Sequence, residues 1–339
     1  MINFASENYA GVQADMMQAL IDANKGNAPS YGNDTVTSET IGLLKSLLGD
    51  DIEVYFTFNG TGANNFGLGS VTERYNSIFC ADVAHLYVDE STAPESFIGC
   101  RIYTIPSESG KITEESLRLA IKRGGDVHHP QPKVVSLTQP TEYGTVYTLE
   151  ELGSIKAICN ENNMLLHVDG ARFFNAVVYL NASLKQMTDH IDILTLGGTK
   201  AGMMFGEAVI FFDSKSNGSY RYHLKRSMQL ASKSRFIAAQ FQAMLKNDLW
   251  QRLAQNTNDL AKQFEQEAYG IPGVSIAHPV QTNSVFLTMS PSLYEKMHQH
   301  FYFYYWNDLK NEVRLVFSFD NTVDEILEFI RLLKEYTRE

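Results

Sequence analysis

Short apolar runs that alternate with helical segments constrain the fold of this chain more than any other feature of its sequence. The runs include IEVYFTF, KVVSLT, MLLHVD, DILTLGG and EAVIFF, and they are apolar on both faces. Strands of this kind are typical of parallel or mixed sheets that lie between layers of helices. Between them, TLEELGSIKAICNENN has helical spacing and a capping box of Thr148 and Glu151. We therefore predict an α/β fold with a mainly parallel sheet flanked by helices.

The C-terminal part of the chain has a different pattern. From about residue 218 the sequence is mainly helical, and short strands and a last helix follow. The chain has 339 residues and 44% hydrophobic residues, which is more than one typical domain needs. We predict a large domain of residues 1–245, with an N-terminal arm, and a smaller α+β domain of residues 246–339.

Composition excludes several classes of function. A formal net charge of −11 disfavours binding to nucleic acid. The three cysteines, Cys80, Cys100 and Cys159, are widely spaced and form no C-x-x-C pattern, so neither a disulfide framework nor a metal site is expected. No run approaches 18 apolar residues, and the first residues do not resemble a signal peptide. We expect a soluble, cytoplasmic, globular α/β protein.

Two strand ends carry the residues that first suggest a chemistry. Asp169 ends the run LLHVD, and Lys200 follows the run TLGG, whose glycines are expected to let the backbone approach a ligand. Partial burial lowers the pKa of a lysine and makes its amine a better nucleophile. An enzyme that uses pyridoxal phosphate needs a Schiff-base lysine and a carboxylate beside the pyridine nitrogen. The pair therefore points to this cofactor.

A phosphate site is the third requirement, and the stretch FTFNGTGANNFG meets it. Gly60, Thr61 and Gly62 follow a strand and begin a helix, where free N–H groups bind phosphate well. The same glycines also resemble a dinucleotide-binding loop, with Asp82 about 20 residues on as the acid that would bind ribose. The sequence thus leaves a nicotinamide-dependent oxidoreductase as an alternative. That alternative has no use for Asp169 and Lys200, and the third glycine of the loop comes later than usual.

The segment LHVDGARFFNA resembles the HxDGAR motif of threonine aldolases, which are fold-type I pyridoxal phosphate enzymes. The resemblance extends in order along nearly the whole chain and is to the low-specificity and phenylserine-aldolase-like branch. The other segments that carry it are FASENYAG, APSYGNDTVT, FNGTGANN, AHLYVDE, GDVHHPQPKVVSLTQPTEYGTVYTLEEL, QLASKSRFIAAQF and NEVRLVFSF. The loop TQPTEYG (138–144) differs from the ENTHN of many members, so its contacts are not implied.

The resemblance implies roles for residues around the cofactor, pyridoxal 5′-phosphate. Lys200 would bind it covalently, Asp169 would pair with the ring nitrogen, and His85 would stack on the ring. The residues that would surround its phosphate and ring are Gly60, Thr61, Gly62 and Arg172, with Lys225 or Arg226 reaching in from a neighbouring subunit.

Substrate-binding roles are implied in the same way. The residues that would bind the amino acid are Ser6, Arg172 and Arg314, which hold the α-carboxylate, and Tyr31 from a partner subunit. His128, or the adjacent His129, would lie near the substrate hydroxyl, and His85 or His128 would act as the general base. The family also implies a homotetramer, a dimer of dimers with shared active sites.

The function implied by the resemblance is the cleavage of L-threonine, L-allo-threonine or a related β-hydroxy-α-amino acid to glycine and an aldehyde. A β-eliminating lyase or an enzyme similar to serine hydroxymethyltransferase shares the cofactor and remains an alternative. A non-catalytic binding protein is a further alternative, against which the intact set of Asp169, Arg172 and Lys200 argues. The aromatic cluster FYFYYW (301–306) could line a pocket, but we expect it to pack the small domain.

Overall fold

The computed structural model describes residues 2–212 and 218–338. The chain begins with a two-residue strand, β1 (Ile2–Asn3), and two helices, α1 (Ala14–Ala23) and α2 (Thr35–Leu48). Helix α2 ends at Gly49, whose φ of +121° is a conformation that glycine adopts readily.

A seven-stranded sheet forms the centre of the larger part of the described chain. Its strands are β2 (Glu53–Thr57), β3 (Asn76–Ala81), β4 (Arg101–Ile105), β5 (Gln131–Thr138), β6 (Leu165–Gly170), β7 (Ile193–Gly197) and β8 (Glu207–Phe211). Their order across the sheet is β2-β8-β7-β6-β5-β3-β4, and only β8 runs against its neighbours. The predicted mainly parallel sheet is therefore confirmed.

Helices connect and cover these strands. They are α3 (Gly60–Gly69), α4 (His85–Val88), α5 (Ala93–Ile98), α6 (Glu114–Ala120), α7 (Leu149–Glu161), α8 (Phe173–Tyr179), α9 (Leu184–Thr188), α10 (Tyr220–Arg226), α11 (Arg235–Leu245) and α12 (Leu249–Ala268). The predicted capping box of α7 is confirmed, since Thr148 accepts from the N–H of Glu151 and Glu151 accepts from that of Thr148. No helix among the described residues is long and apolar enough to cross a membrane.

The C-terminal part folds around a small antiparallel sheet of order β12-β13-β10-β9. Its elements are β9 (Ser275–Ile276), β10 (Ser284–Thr288), α13 (Pro291–His298), β11 (Phe301–Tyr302), β12 (Tyr304–Asn307), β13 (Glu312–Val316) and α14 (Val323–Tyr336). Strand β11 pairs in parallel with β1, so the N-terminal arm joins this part of the molecule.

The two parts have separate hydrophobic cores that meet along α12. Leu249 and Trp250 at its start belong to the core of the large sheet, whereas Leu260 and Phe264 belong to the second core. Phe4 of the N-terminal arm is also buried in the second core. The domain ranges 1–245 and 246–339 stay a prediction.

The parallel strands of the large sheet have their carboxyl ends at the same edge. Asp169 lies at the end of β6, and Lys200 lies three residues after β7, which pairs with β6. Gly60 follows β2 and His85 follows β3 at the same edge. Because ligands of open α/β sheets bind beyond this edge, the topology brings the predicted site residues together there.

Candidate active site

A cavity of about 650 Å³ opens at the carboxyl edge of the sheet. The predicted site residues that line it are Ser6, Gly60, Thr61, His85, Asp169, Arg172, Lys200 and Arg314. They come from six separate segments of the chain. The cavity has the size of a small-molecule site and many convergent polar groups, which together favour a catalytic site.

Asp169 is fixed at the floor of this cavity by two donors. The Nδ2 group of Asn64 donates to its Oδ2 at 2.9 Å, and the N–H of Ala171 donates to its Oδ1 at 3.1 Å. Its backbone carbonyl also accepts from the N–H of Gln139, at the end of the neighbouring strand. A carboxylate held this firmly keeps one position relative to a bound ligand.

Asn64 links Asp169 to a second buried carboxylate. Its Nδ2 group also donates to Oε1 of Glu90 at 2.9 Å, and the same oxygen lies 3.0 Å from Nδ1 of His85. This hydrogen bond with Glu90 raises the pKa of His85. The Nδ1 side of the imidazole is therefore anchored, which fixes the ring orientation at the cavity wall.

Lys200 is one of the residues that line the cavity. Among the described residues, none forms a hydrogen bond or ion pair with its Nζ. The positive charge of Arg172 and burial of the amine lower the pKa of Lys200. A sequence argument from apolar neighbours gives the same direction but misses the larger cause, Arg172. An amine that loses its proton more easily is a better nucleophile.

The two glycines before Lys200 are tightly packed. A Cβ on Gly197 would lie 2.4 Å from the carbonyl oxygen of Ala171, and one on Gly198 would lie 2.4 Å from Sδ of Met203 and 2.5 Å from the carbonyl oxygen of Gly206. Gly197 therefore lets the Lys200 turn approach the turn that follows Asp169, and Gly198 makes room for Met203 and Gly206. The expectation that these glycines let the backbone approach a ligand stays a prediction.

Glu207 forms hydrogen bonds with the turn that precedes Lys200. Its Oε2 accepts from the N–H of Gly198 at 2.7 Å and its Oε1 accepts from Oγ1 of Thr199 at 2.8 Å. Burial raises the pKa of Glu207 to about 7. The residues that immediately precede Lys200 are thus held by the backbone of Ala171 and by the side chain of Glu207.

Arg172 forms a buried ion pair that sequence reasoning did not anticipate. Its Nε and Nη2 donate to the two oxygens of Glu7 at 2.6 and 2.8 Å, and Nδ2 of Asn283 also donates to Glu7. Burial by itself would raise the pKa of Glu7, but Arg172 overcomes this and lowers it to about 2. Glu7 therefore stays ionised and holds the guanidinium of Arg172 in place.

Arg314 is the arginine without a counter-charge. It stacks over the ring of Trp306, 4.5 Å from the centroid, and its Nη2 donates to the hydroxyl of Tyr304. Its Nε is buried without a hydrogen-bond partner, and no carboxylate of the described residues pairs with it. Burial and the nearby charge of Arg172 lower the pKa of Arg314. Such a group is a natural site for an incoming carboxylate.

Two further predicted residues flank the cavity closely. Ser6 lines it, and its Oγ accepts from the N–H of Asn8. Gly62 lies between Thr61 and Asn64, which both line the cavity, and a Cβ on it would lie 2.3 Å from the side chain of Gln229. The absence of a side chain at Gly62 therefore allows Gln229 to pack against the start of α3.

The structure does not bring His128 to the cavity of its own chain. It is exposed in the loop before β5, and its N–H donates to Asp126. The site lies at the other end of β5, eight residues or roughly 26 Å along the strand. His129 lies in the same loop. Of the two histidines proposed as general base, only His85 lines the cavity.

Tyr31 and Lys225 also lie outside the cavity of their own chain, as does Arg226. The Nζ of Lys225 lies 5.6 Å from the centre of the Tyr31 ring, so these two side chains share one surface. Their roles in a neighbouring subunit's site stay a prediction.

Several residues of the site were missed by the sequence analysis. They are Glu7, Asn64, Glu90, Glu142, Glu207, Tyr304 and Trp306. Asn64 could have been found from its spacing, since it follows Gly60 by four residues and shares its helix face. Tyr304 and Trp306 belong to the aromatic cluster that we expected to pack the small domain. Phe301 and Phe303 of that cluster do pack there.

The residues present fit pyridoxal 5′-phosphate. An unpaired lysine amine, a fixed carboxylate and the start of α3 meet in one cavity, and open space surrounds Gly60 at the helix start. Four buried polar atoms of the lining have no partner among the described residues: Asn64 Oδ1, Glu90 Oε2, Glu142 Oε2 and Arg314 Nε. Unpartnered buried atoms at such a position indicate that a ligand belongs there.

Comparison with known proteins gives the same assignment. The family model described as "Beta-eliminating lyase" matches residues 3–292. The fold is that of fold-type I enzymes, shared with a NifS-like protein from Rickettsia africae at a TM-score of 0.75 and 17% identity, over 100% of both chains. The fold and the site thus define a lyase that depends on pyridoxal 5′-phosphate.

The relatives narrow this class. A low-specificity L-threonine aldolase of Pseudomonas aeruginosa is 39% identical over 97% of this chain and 96% of its own length. Another, from a Pseudomonas species, is 41% identical over 87% of this chain and 86% of its own. A threonine aldolase structure from Leishmania major superposes with a TM-score of 0.95 at 25% identity, over 99% of this chain and 100% of that one. The chain belongs to the threonine aldolase family of the β-eliminating lyases.

Family membership also decides between the alternatives of the sequence analysis. The nicotinamide-dependent alternative required Asp82 to bind a ribose, but Asp82 does not line the cavity and its Oδ1 accepts from Ser107. The pyridoxal phosphate assignment therefore replaces it.

Proposed function

We propose that this chain cleaves L-threonine, L-allo-threonine and related β-hydroxy-α-amino acids to glycine and an aldehyde. The observation that carries this proposal is the 39% identity, over nearly the full length of both chains, to a protein named as a low-specificity L-threonine aldolase. The cavity supports it, because an unpaired arginine for the α-carboxylate, a lysine amine and a fixed carboxylate face one space.

The amino acid is bound mainly by Arg314. Its unpartnered Nε and the planar guanidinium suit a carboxylate, and Trp306 beneath it fixes the plane. Glu7 occupies the N–H of Nε and one N–H of Nη2, so Arg172 keeps Nη1 and the second N–H of Nη2 for a ligand. We assign Arg172 and Ser6 supporting roles at the same carboxylate.

Pyridoxal phosphate, when bound, supplies an aldehyde that reacts with amines and a ring that accepts the electron pair of a broken bond. Lys200 would provide the amine that holds it, and Asp169 would provide a negative charge for the ring nitrogen. Gly60 and Thr61 would provide N–H groups for the phosphate, and Gln229 packs against Gly62 beside them. His85, whose Nδ1 contacts Glu90, would pack against the ring.

A β-eliminating lyase is the second candidate, and the description of the family model favours it. Both activities need the same cofactor residues, so the distinction must come from products. Elimination from a β-hydroxy amino acid would give an oxo acid and ammonia, and a hydroxymethyltransferase would need a folate carrier.

Product analysis of the purified protein tests the proposal. With pyridoxal phosphate and L-threonine, and without folate, we expect acetaldehyde and glycine in equal amounts. Lys200→Ala should lose the activity and the borohydride-sensitive absorbance of the bound cofactor, whereas Lys122→Ala, an exposed lysine at the opposite edge, should keep both. The four-carbon oxo acid 2-oxobutanoate with ammonia as the main products, or dependence on folate, would refute the assignment.

We also propose that the protein is a homotetramer with shared active sites. Several exposed apolar side chains could form an interface, and they are Tyr31, Phe58, Met204, Phe205 and Met228. Phe58 lies two residues before the start of α3. The rings of Phe58 and Phe205 lie 6.3 Å apart, and the N–H of Phe58 donates to Gln229. A second copy that covers this surface would bring Tyr31 and Lys225 toward a neighbouring cavity.

Light scattering after gel filtration tests the assembly. Met228→Glu should reduce the mass by weakening an interface at this surface, whereas Tyr269→Glu, also highly exposed but in the C-terminal part, should not. A monomer in the unmodified protein would refute the proposal. The cytoplasmic location stays a prediction from the sequence, which cell fractionation tests.

A further inference from the structure

The loop between β5 and α7 brings a carboxyl group into the cavity that no motif identified. Glu142 lines the cavity together with Thr138, Pro140 and Thr141 of the same loop. This is the loop TQPTEYG, in which the chain departs from the segment typical of threonine aldolases. Its contacts therefore have to be read from the structure.

The two oxygens of Glu142 have different surroundings. Oε1 accepts from the backbone N–H of His85 at 2.8 Å and from Oγ1 of Thr138 at 2.7 Å. Oε2 is shielded from solvent and has no hydrogen-bond partner in the described part of the chain. One oxygen thus fixes the carboxyl group, and the other is left for a ligand in the cavity.

Glu142 is linked through its neighbours both to Asp169, assigned to the cofactor, and to Arg314, assigned to the substrate carboxylate. Thr138, which donates to it, is paired across the sheet with Asp169. The next residue, Tyr143, packs against Trp306 with ring centres 6.0 Å apart, and Arg314 stacks over the same Trp306. An amino acid whose carboxylate lies on Arg314 therefore has its side chain within this region.

Other candidates for a proton acceptor are less suited. His128 is remote from the cavity of its chain. The contact of His85 with Glu90 engages Nδ1 and not Nε2, but the imidazole of His85 is the ring assigned above to the face of the cofactor. Both oxygens of Glu207 accept bonds from the turn that carries Lys200. Glu90 also has a free Oε2, but its Oε1 pairs with the imidazole of His85, whereas Oε1 of Glu142 meets only uncharged donors. Burial also raises the pKa of Glu142, which makes its carboxylate a stronger base than an exposed one.

We propose that Glu142 is a further catalytic residue, whose Oε2 accepts the proton of the substrate β-hydroxyl during cleavage. The O–H bond breaks and its proton passes to Oε2, while the oxygen electron pair forms the C=O bond of the aldehyde. The Cα–Cβ bond breaks and its electron pair remains at Cα, where a proton later gives glycine. This inference rests on the proposed function, since only a β-hydroxy substrate presents that proton.

Glu142→Gln is the principal test, because glutamine can keep both bonds at Oε1 but cannot accept the proton. We expect kcat/KM for L-threonine to fall by roughly 10²- to 10⁴-fold. Exchange of the glycine α-proton for deuterium, followed by NMR, involves no hydroxyl and should stay near the wild-type rate. Glu150→Gln, which removes an exposed carboxylate of α7, should leave both reactions unchanged.

A second variant and a direct spectroscopic readout separate catalysis from structure. Thr138→Val removes a hydrogen bond that lowers the pKa of Glu142, so the acid limb of kcat/KM should move to higher pH. In the cofactor-free protein, infrared difference spectra between the unmodified protein and Glu142→Gln should show the carboxylic-acid C=O band of Glu142, which titrates above the range of an exposed glutamate, while the band of Glu207 is common to both and cancels. The infrared titration does not depend on turnover of a substrate.

Three outcomes would overturn the inference. They are full cleavage activity in Glu142→Gln, equal loss of cleavage and glycine exchange, and an acid limb that Thr138→Val does not move. If instead the unmodified protein exchanges the glycine proton but releases no aldehyde from any β-hydroxy amino acid, the proposed function itself fails.

Discussion

Arg172 and Arg314 lie in the same cavity but differ in the charge that faces them. Arg172 is neutralised by Glu7, which lies 165 residues away in sequence, whereas Arg314 rests on an aromatic ring and meets no carboxylate of the described residues. Two guanidinium groups without a counter-charge would repel each other, and both would repel the positive charge of a protonated Lys200. Glu7 therefore allows both arginines and Lys200 to share one cavity.

Replacement of Glu7 by glutamine tests this arrangement. The pKa of Glu7 is lowered from 4.5 to about 2, so its ionised form stabilises the fold above pH 4.5 and this contribution disappears as the pH falls toward 2. Glu7→Gln should reduce the free energy of unfolding by roughly 3 kcal/mol at pH 7 and by much less near pH 2.

Urea denaturation at both pH values measures the difference. Glu328→Gln removes a carboxylate that pairs with Arg331 on the surface of α14, and it should change the stability little at either pH because water screens that pair. A Glu7→Gln loss that is independent of pH would contradict the ion-pair explanation.

At the scale of elements, β6 and β7 and the turns that follow them form one unit. The strands pair in parallel with Gly170 opposite Leu196, and Gly197 lets the Lys200 turn lie against Ala171. Glu207, on the antiparallel strand β8, holds that turn through Gly198 and Thr199. The distance between Lys200 and Asp169 is therefore set by backbone contacts, which do not relax easily.

Gly197→Ala tests the contact between the two turns. The new Cβ would lie 2.4 Å from a backbone oxygen, so the turns must separate, and we expect a lower melting temperature and much weaker binding of pyridoxal phosphate. Gly42→Ala in α2 meets no atom within 4 Å and should keep or slightly raise the stability. Both are measured by thermal unfolding and by titration with the cofactor. Unchanged cofactor affinity in Gly197→Ala would contradict this view of the turn.

At the scale of the whole molecule, the cavity needs both hydrophobic cores. The large sheet supplies Asp169, Lys200 and Glu142, and the small sheet supplies Tyr304, Trp306 and Arg314. The N-terminal arm joins them, because Phe4 packs against Phe301, Phe317 and Phe329 of the second core while Ser6 reaches the cavity. Substrate binding is thus sensitive to how the two parts fit together.

Trp306→Ala tests the part of the cavity lining that comes from the small sheet. It removes the ring under Arg314 and the contact with Tyr143, and it should raise the KM for L-threonine by roughly 2- to 30-fold with a smaller effect on cofactor binding. Trp306→Phe keeps an aromatic face and should recover part of the loss. Steady-state kinetics and cofactor titration measure the two effects, and an unchanged KM would show that Arg314 does not depend on this ring.

The sequence by itself determined the elements and the position of the chemistry along the chain. The capping box at Thr148, the apolar strands and the residues at their carboxyl ends depend on neighbours in sequence or on the period of the pattern, which can be read directly. The comparison with threonine aldolase motifs gave the cofactor for the same reason, since Asp169 and Lys200 lie in local segments.

Only the tertiary structure decided which side chains complete the site. Asn64 meets Asp169 across 105 residues, and Glu7 meets Arg172 across 165. Trp306 and Phe303 belong to one aromatic run, yet one lines the cavity and the other is buried in the second core. The physical reason is that a buried charge or ring takes its role from the groups packed around it, and those groups are chosen by the fold rather than by their place in the sequence.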